Sequence, residues 1–222
     1  MNRKQQELLF FRNTKQPKLP ITETQYRKIR RAIRGEKGRF ASRNLLLINL
    51  HTNTCINSSD VLKFKTGTVF REGRIIDKFW INQKKITKSQ LVTATRSIRS
   101  DIEAVIRDYA KIFYPDYFSC PSNPLFPSQV IDKETGYCKA MSYSAYRSVL
   151  RRVFTKLDMN TKLYGTHSLR SALPQAYYRK TGDAKGAKAL FERRSGRTTI
   201  TYKEQVTSRR AIEIKKEVQF TD

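Results

Sequence analysis

The stretch from Leu163 to Tyr202 constrains the fold most, because a basic, helical pattern there carries polar residues at fixed positions. His167 and Arg170 form an H-x-x-R motif within it. Gly182-Asp183 supplies a helix end and then a helix cap, and the Ala-, Lys- and Leu-rich helix that follows ends near Arg193. This half of the chain is therefore predicted to be mainly α-helical.

Apolar residues at helical spacing predict four more helices, at about residues 23–34, 42–51, 95–113 and 142–157. Thr22-x-x-Gln25 is a capping-box pattern at the start of the first helix, and Ser142 is the predicted cap of the last. The second helix is apolar at Leu45, Leu46, Leu47, Ile48 and Leu50, so it is predicted to lie in the core.

Short β-rich runs separated by polar turns predict strands between the second and third of these helices. Ile75-Ile76 and residues 79–81 are two such runs, with turns at Glu72-Gly73 and Lys84-Lys85. After the third helix, a proline-containing loop that Gly136 closes is predicted.

Several of these segments resemble the catalytic domain of the tyrosine recombinase family, which includes the phage integrases. The specific match is YGTHSLR at residues 164–170, and YYRKTG at residues 177–182 resembles the family's IYRRTG. Arg193 and Tyr202 follow Arg170 at the intervals of the family pattern.

The resemblance covers roughly residues 43–205 and implies an α+β fold, mainly α, of the recombinase catalytic-domain type. A small antiparallel three-stranded sheet is expected at about residues 68–93. The implied organisation is a basic N-terminal arm and first helix at 1–40, a recombinase-like catalytic domain at 41–205, and a C-terminal tail at 206–222. In the family the tail often packs on a neighbouring protomer, so it is a candidate contact of a homo-oligomer on DNA.

The resemblance also implies which residues carry the chemistry. In the family a tyrosine hydroxyl, here that of Tyr202, attacks a DNA phosphodiester and forms a 3′-phosphotyrosyl link. Arg170 matches the arginine of the H-x-x-R motif that binds the scissile phosphate, and His167 matches its histidine. Lys85 falls on the hairpin lysine that protonates the leaving oxygen. No metal ion, cofactor or small-molecule substrate is expected for this reaction.

Three residues depart from the family pattern. Asn57 stands where the family has its first catalytic arginine, which binds the scissile phosphate together with Arg170's counterpart. Arg193 stands where the family has a histidine that donates one hydrogen bond. Pro174 follows Arg170 by four residues and lacks the N–H that would bond the Arg170 carbonyl, which predicts a kink there.

The charge of the chain favours a polyanionic partner. Lys and Arg number 45 against 19 Asp and Glu, a formal net charge of +26, and such a field attracts nucleic acid. The residues predicted to contact DNA are Arg147, Arg151, Arg152, Lys185, Lys188 and Arg194. Double-stranded DNA is therefore the predicted partner.

Three functions are compatible with these observations. The favoured one is a double-stranded DNA-binding protein of recombinase fold with impaired or lost strand transfer, acting as an accessory or regulatory factor of a mobile element. The second is an active site-specific recombinase or integrase that works through Tyr202, with Arg193 or a partner's arginine replacing the missing clamp. The third is a basic RNA-binding protein.

No membrane partner is expected, because no stretch reaches the roughly 18 apolar residues of a membrane-spanning helix. The residues after Met1 also lack the pattern of a signal peptide. The predicted location is therefore cytoplasmic, in a bacterium or associated with its nucleoid.

Overall fold

The computed structural model describes residues 18–71, 74–76, 78–83, 92–97, 100–112, 119–134, 136 and 138–191. The helices in these ranges are α1 Glu23–Arg34, α2 Phe40–Thr54, α3 Ser58–Val61, α4 Thr66–Val69, α5 Ser100–Ile112, α6 Tyr143–Lys156, α7 Thr166–Thr181 and α8 Ala184–Phe191. The strands are β1 Phe70–Arg71, β2 Arg74–Ile75, β3 Lys78–Gln83, β4 Val92–Ser97, β5 Pro127–Ile131 and β6 Cys138–Ala140.

Helix α2 is the centre of the described core. Every residue from Leu46 to Thr54 is buried, because the helix packs against α1, α5 and α7. Its apolar residues Leu46, Leu47, Ile48 and Leu50 are fully buried, and the polar residues Asn49 and 51–54 are buried with them. The predicted core position of residues 45–50 is thus confirmed, although Leu45 itself is only partly buried.

Helix α1 begins at the predicted capping box. The Gln25 N–H donates to Thr22 Oγ1 at 3.2 Å, and the Thr22 N–H donates to Gln25 Oε1 at 2.9 Å, so two otherwise unpaired donors are satisfied. Tyr26, Ile29 and Ile33 are fully buried, so one face of α1 is part of the core.

The strands pair as antiparallel hairpins. β1 pairs with β2, β5 with β6, and β3 with β4 in a register that runs from Lys78 opposite Ser97 to Gln83 opposite Val92. The predicted small antiparallel sheet is confirmed, but in the described ranges the strands pair two by two and not as one three-stranded sheet.

Two predicted boundaries in this part of the chain are wrong. The helix predicted from about Thr95 begins at Ser100, because residues 92–97 form β4, where Val92, Thr93 and Thr95 are β-branched residues that favour a strand. The predicted loop before Gly136 contains β5, whose proline stands at the first strand position, where its missing N–H is tolerated.

Helix α7 continues through Pro174, which is buried inside it. The helix ends at Gly182, whose φ of 67° is the left-handed conformation that glycine adopts without strain. Asp183 Oδ1 then accepts from the N–H groups of Lys185 and Gly186, each at 3.0 Å. The predicted helix end and the predicted cap of α8 are both confirmed.

None of the described helices is long and apolar enough to cross a membrane. Among the same residues, no group of three or more His, Cys, Asp or Glu side chains is arranged to hold a metal ion.

Candidate functional site

The structure brings Arg170 and Asn57 together. Arg170 lies in the second turn of α7, and its guanidinium reaches the chain that leaves the end of α2. Its Nε donates to the Cys55 carbonyl at 2.8 Å, and its Nη1 donates to Asn57 Oδ1. The two positions that the resemblance pairs on one phosphate are therefore neighbours in this chain.

Local backbone geometry explains how these acceptors come to face Arg170. Cys55 ends α2 with a φ of 57° and a ψ of 18°, which turns the chain sharply out of the helix. Asn57 is extended, with a φ of −64° and a ψ of 141°, and is the N-cap of the short helix α3. The turn thus presents two acceptors to Arg170, the main-chain oxygen of Cys55 and the side-chain oxygen of Asn57.

Asn57 connects a cation with an anion. Its amide oxygen accepts from Arg170, and its Nδ2 points to Asp60 Oδ2 at 3.5 Å. Asp60 in turn lies 3.8 Å from the exposed ammonium of Lys63. This orientation follows from amide chemistry, because only the oxygen can accept from a guanidinium and only the nitrogen can donate to a carboxylate.

His167 is exposed in the first turn of α7. Beside it, the Thr166 hydroxyl lies 3.2 Å from the hydroxyl of Tyr143, which begins α6. The Arg147 guanidinium lies 6.0 Å from the centre of the Tyr143 ring, within the range of a cation–π contact. The start of α7 and the basic helix α6 therefore meet at this point.

Beneath this surface lies a buried pair that the sequence did not single out. The Tyr146 hydroxyl is 2.8 Å from His51 Nδ1, and both side chains are at most 1% exposed. Burial lowers the pKa of His51 to about 3, and the positive charges of Arg170 and His167 contribute to the shift. Burial also raises the pKa of Tyr146, so both groups are neutral at physiological pH.

The residues predicted to contact DNA differ in their surroundings. Arg147, Arg151 and Arg152 are all exposed on α6, and Lys185 is exposed on α8. Arg152 is engaged by the Glu36 carboxylate, with Nη2 at 2.8 Å and 3.0 Å from its two oxygens. The three arginines give α6 an exposed basic stripe, in which Arg152 is already paired with a carboxylate, and their contact with DNA stays a prediction.

Several predicted residues lie outside the described part of the chain. Lys85, Arg193, Arg194 and Tyr202 are among them, as is the C-terminal tail at 206–222. Lys188 lies in α8, but its side chain is not described. Their roles stay predictions.

Comparison with known proteins gives matches to solved structures alone: neither a family model nor a curated protein matches the sequence. The XerH site-specific recombinase bound to its difH substrate, in a pre-cleavage complex, matches with a TM-score of 0.58 and 18% identity over 80% of this chain. Its post-cleavage complex with palindromic difH matches with a TM-score of 0.59 and 17% identity over 80% of this chain. The integrase from mycobacterium phage Brujita matches with a TM-score of 0.59 and 13% identity over 95% of this chain.

This chain spans 48% and 47% of the two XerH chains and 61% of the integrase. It has the tyrosine recombinase catalytic-domain fold, mostly helical with a small antiparallel sheet. The predicted fold class is confirmed.

The low pKa of His51 predicts a pH dependence of stability. The unfolded chain binds a proton on this imidazole below about pH 6.5, whereas the folded chain does so near pH 3, so stability falls as the pH falls through this window. Between pH 6.5 and 5 we expect wild type to lose up to about 2 kcal/mol more unfolding free energy than His51→Gln. Urea unfolding at the two pH values measures the difference, and parallel losses in the two proteins would contradict it.

Proposed function

We propose that this protein, built on the tyrosine recombinase catalytic fold, binds double-stranded DNA and has impaired or lost strand-transfer activity. It then acts as an accessory or regulatory DNA-binding factor. The observation that supports this most is the contact between Arg170 and Asn57, because the resemblance expects a second guanidinium at the position of this neutral amide.

The argument rests on where charge develops in the reaction. Attack on a phosphodiester places additional negative charge on the non-bridging oxygens, which fixed cationic donors stabilise. Asn57 supplies no charge, its oxygen faces Arg170, and its amino group faces Asp60. Losing one fixed donor costs about 2.7 to 4 kcal/mol, or roughly 10² to 10³ in rate.

Ground-state binding of DNA depends on different groups. Arg170 keeps its charge, and the contact between the Tyr143 and Thr166 hydroxyls joins the start of α7 to the start of α6, a helix with exposed arginines. Phosphate contacts of this kind supply most of the affinity of DNA-binding proteins, and they need no transition-state stabilisation. DNA binding can therefore survive the presence of Asn57 in place of an arginine, even though strand-transfer activity would be largely lost.

The remaining assignments are part of the same proposal. Tyr202 is the residue that would form a phosphotyrosyl link, with His167, Lys85 and Arg193 as its candidate helpers. This chemistry uses no metal ion or cofactor. The tail at 206–222 would contact a second protomer on DNA, and the protein would act in the cytoplasm of a bacterium or on its nucleoid.

Duplex binding should be dominated by phosphates. We expect affinity for double-stranded DNA to fall by about 10²-fold or more between 50 and 200 mM salt, as for about four neutralised phosphates. Arg147→Gln should reduce the log–log slope by about one, whereas the control Lys139→Gln, whose lysine pairs with Asp132 at 3.2 Å, should leave it unchanged. Fluorescence anisotropy with labelled duplexes measures the slopes. A flat response, or a preference for single-stranded RNA, would contradict the proposal.

Cleavage should depend on residue 57. Wild type should form no covalent adduct, and Asn57→Arg should form some, because the new guanidinium adds phosphate donors and lies near the Asp60 carboxylate, which offsets repulsion from Arg170. Adding Tyr202→Phe should abolish that adduct. The protein is incubated with nicked duplexes of randomised sequence, and covalent adduct is measured on a denaturing gel. The short strand released by cleavage diffuses away, so religation is prevented and the adduct accumulates. Strong adduct formation by wild type would favour an active recombinase in which Arg193 or a partner's arginine completes the site.

A further inference from the structure

Helix α1 presents a second basic surface that the sequence analysis did not assign. From Arg27 onward, its exposed residues are all basic, and we call them the α1 basic face: Arg27, Lys28, Arg31 and Arg34. Two more exposed cations, Lys37 and Arg39, lie in the connection from α1 to α2. The opposite side of α1 is buried in the core, so this face is fixed in its orientation.

The like charges of the α1 basic face repel one another along the helix, although Arg31 and Arg34 in its last turn also interact favourably with the helix dipole. The residues of this face stand three or four positions apart, where like charges destabilise a helix by about 0.2 to 0.5 kcal/mol per pair. The one acidic residue in the helix, Glu23, pairs with Arg27 at 2.7 Å. Lys28 and Arg31 make no ion pair within the described ranges. An anionic partner would offset the repulsion that remains.

The contact between Glu36 and Arg152 links this face to α6. Glu36 follows the last turn of α1 by two residues, and Arg152 Nε lies 3.3 Å from its Oε1, in addition to the two contacts of Nη2. Helix α1 also packs directly on α6. The exposed arginines of α6 and the end of α1 therefore belong to one continuous basic surface.

The length of this surface suits a DNA strand. Helix α6 runs from Tyr143, beside the start of α7, to Arg152, beside Glu36. Nine residues of helix measure roughly 14 Å. A DNA strand carries one charge per about 3.4 Å of helix axis, so this length faces about four phosphates.

An anionic membrane fits α1 less well than DNA does. A helix that lies in a membrane surface needs an exposed apolar side to enter the lipid. In α1 the apolar side consists of Tyr26, Ile29 and Ile33, which are fully buried in the protein core.

We propose that the α1 basic face is a second duplex-contacting surface, which continues the basic stripe of α6 away from Arg170. Glu36 holds Arg152 in the free protein and gives it up to a DNA phosphate on binding. This inference rests on the proposed duplex binding and adds the surface that extends the contact.

Matched double variants test the surface. Lys28→Gln with Arg31→Gln removes two charges from the α1 basic face, and Lys133→Gln with Lys139→Gln removes two exposed charges from the β5–β6 hairpin. We expect the α1 pair to reduce the log–log salt slope by about two and affinity at 100 mM salt by about tenfold or more, with the hairpin pair unchanged. The α1 pair should unfold within about 2–4 °C of wild type, because the repulsion that it relieves and the helix-dipole interaction of Arg31 that it loses are of similar small size. A larger fall would indicate a structural role.

Glu36→Gln tests the exchange of partners. Its neutral amide releases the Arg152 charge, so duplex binding should become tighter, while the salt slope stays about the same because Arg152 neutralises one phosphate in both proteins. The inference would be overturned if wild type bound duplex DNA with a steep salt slope and the α1 pair and the hairpin pair had equal salt slopes. That result would leave the proposed function intact. Wild type without salt-dependent duplex binding would overturn both.

Discussion

The hydrogen bonds of Arg170 to the Cys55 carbonyl and to Asn57 Oδ1 organise the candidate site. They need α2 to end abruptly, which the left-handed backbone of Cys55 provides, and they need α7 to pack along α2. His51 and Tyr146 fill the space beneath as a neutral buried pair. The positive charge of Arg170 is one of the causes that lower the pKa of His51 and keep its imidazole neutral.

In the proposed function, the identity of residue 57 separates DNA binding from strand-transfer chemistry. A guanidinium there would add charge at the position proposed for the DNA phosphate, whereas the amide adds none and its oxygen, together with the Cys55 carbonyl, accepts from Arg170. The rest of the charge is spread over helix surfaces, with Arg147 and Arg151 on α6 and further cations on α1. Such a distribution suits a protein whose affinity for DNA comes from many phosphate contacts and not from one reacting phosphate.

Local sequence signals predicted the helix ends well. Three helix ends were predicted from residues close by in the sequence: the capping box at Thr22, the cap at Ser142 and the end at Gly182. Ser142 Oγ, for example, accepts from the Ala145 N–H at 3.1 Å, a contact over three residues. The family resemblance placed Asn57 opposite Arg170, a pairing across more than a hundred residues that local patterns could not give. The resemblance could predict this pairing because it compares two distant segments of the chain with one known fold.

Long-range pairing accounts for what sequence reasoning missed. The start of α5 was misplaced because residues 92–97 pair with β3, and strand pairing outweighs the helical spacing of nearby apolar residues. The Glu36–Arg152 contact and the burial of His51 likewise depend on which helices pack together. Nothing in the neighbouring sequence distinguishes those residues from solvated ones.

A double-mutant cycle between residues 57 and 170 tests directly whether the hydrogen bond between Asn57 and Arg170 contributes to DNA binding. The measured quantity is the free energy of duplex binding. The four proteins are wild type, Asn57→Ala, Arg170→Gln and the double variant. A hydrogen bond to a charged group contributes about 1.5 to 3 kcal/mol, so we predict a coupling of at least about 1 kcal/mol, with Asn57→Ala nearly silent once Arg170 is gone. Free energies that add to within about 0.3 kcal/mol would contradict the claim that the contact between Asn57 and Arg170 organises a DNA-binding site.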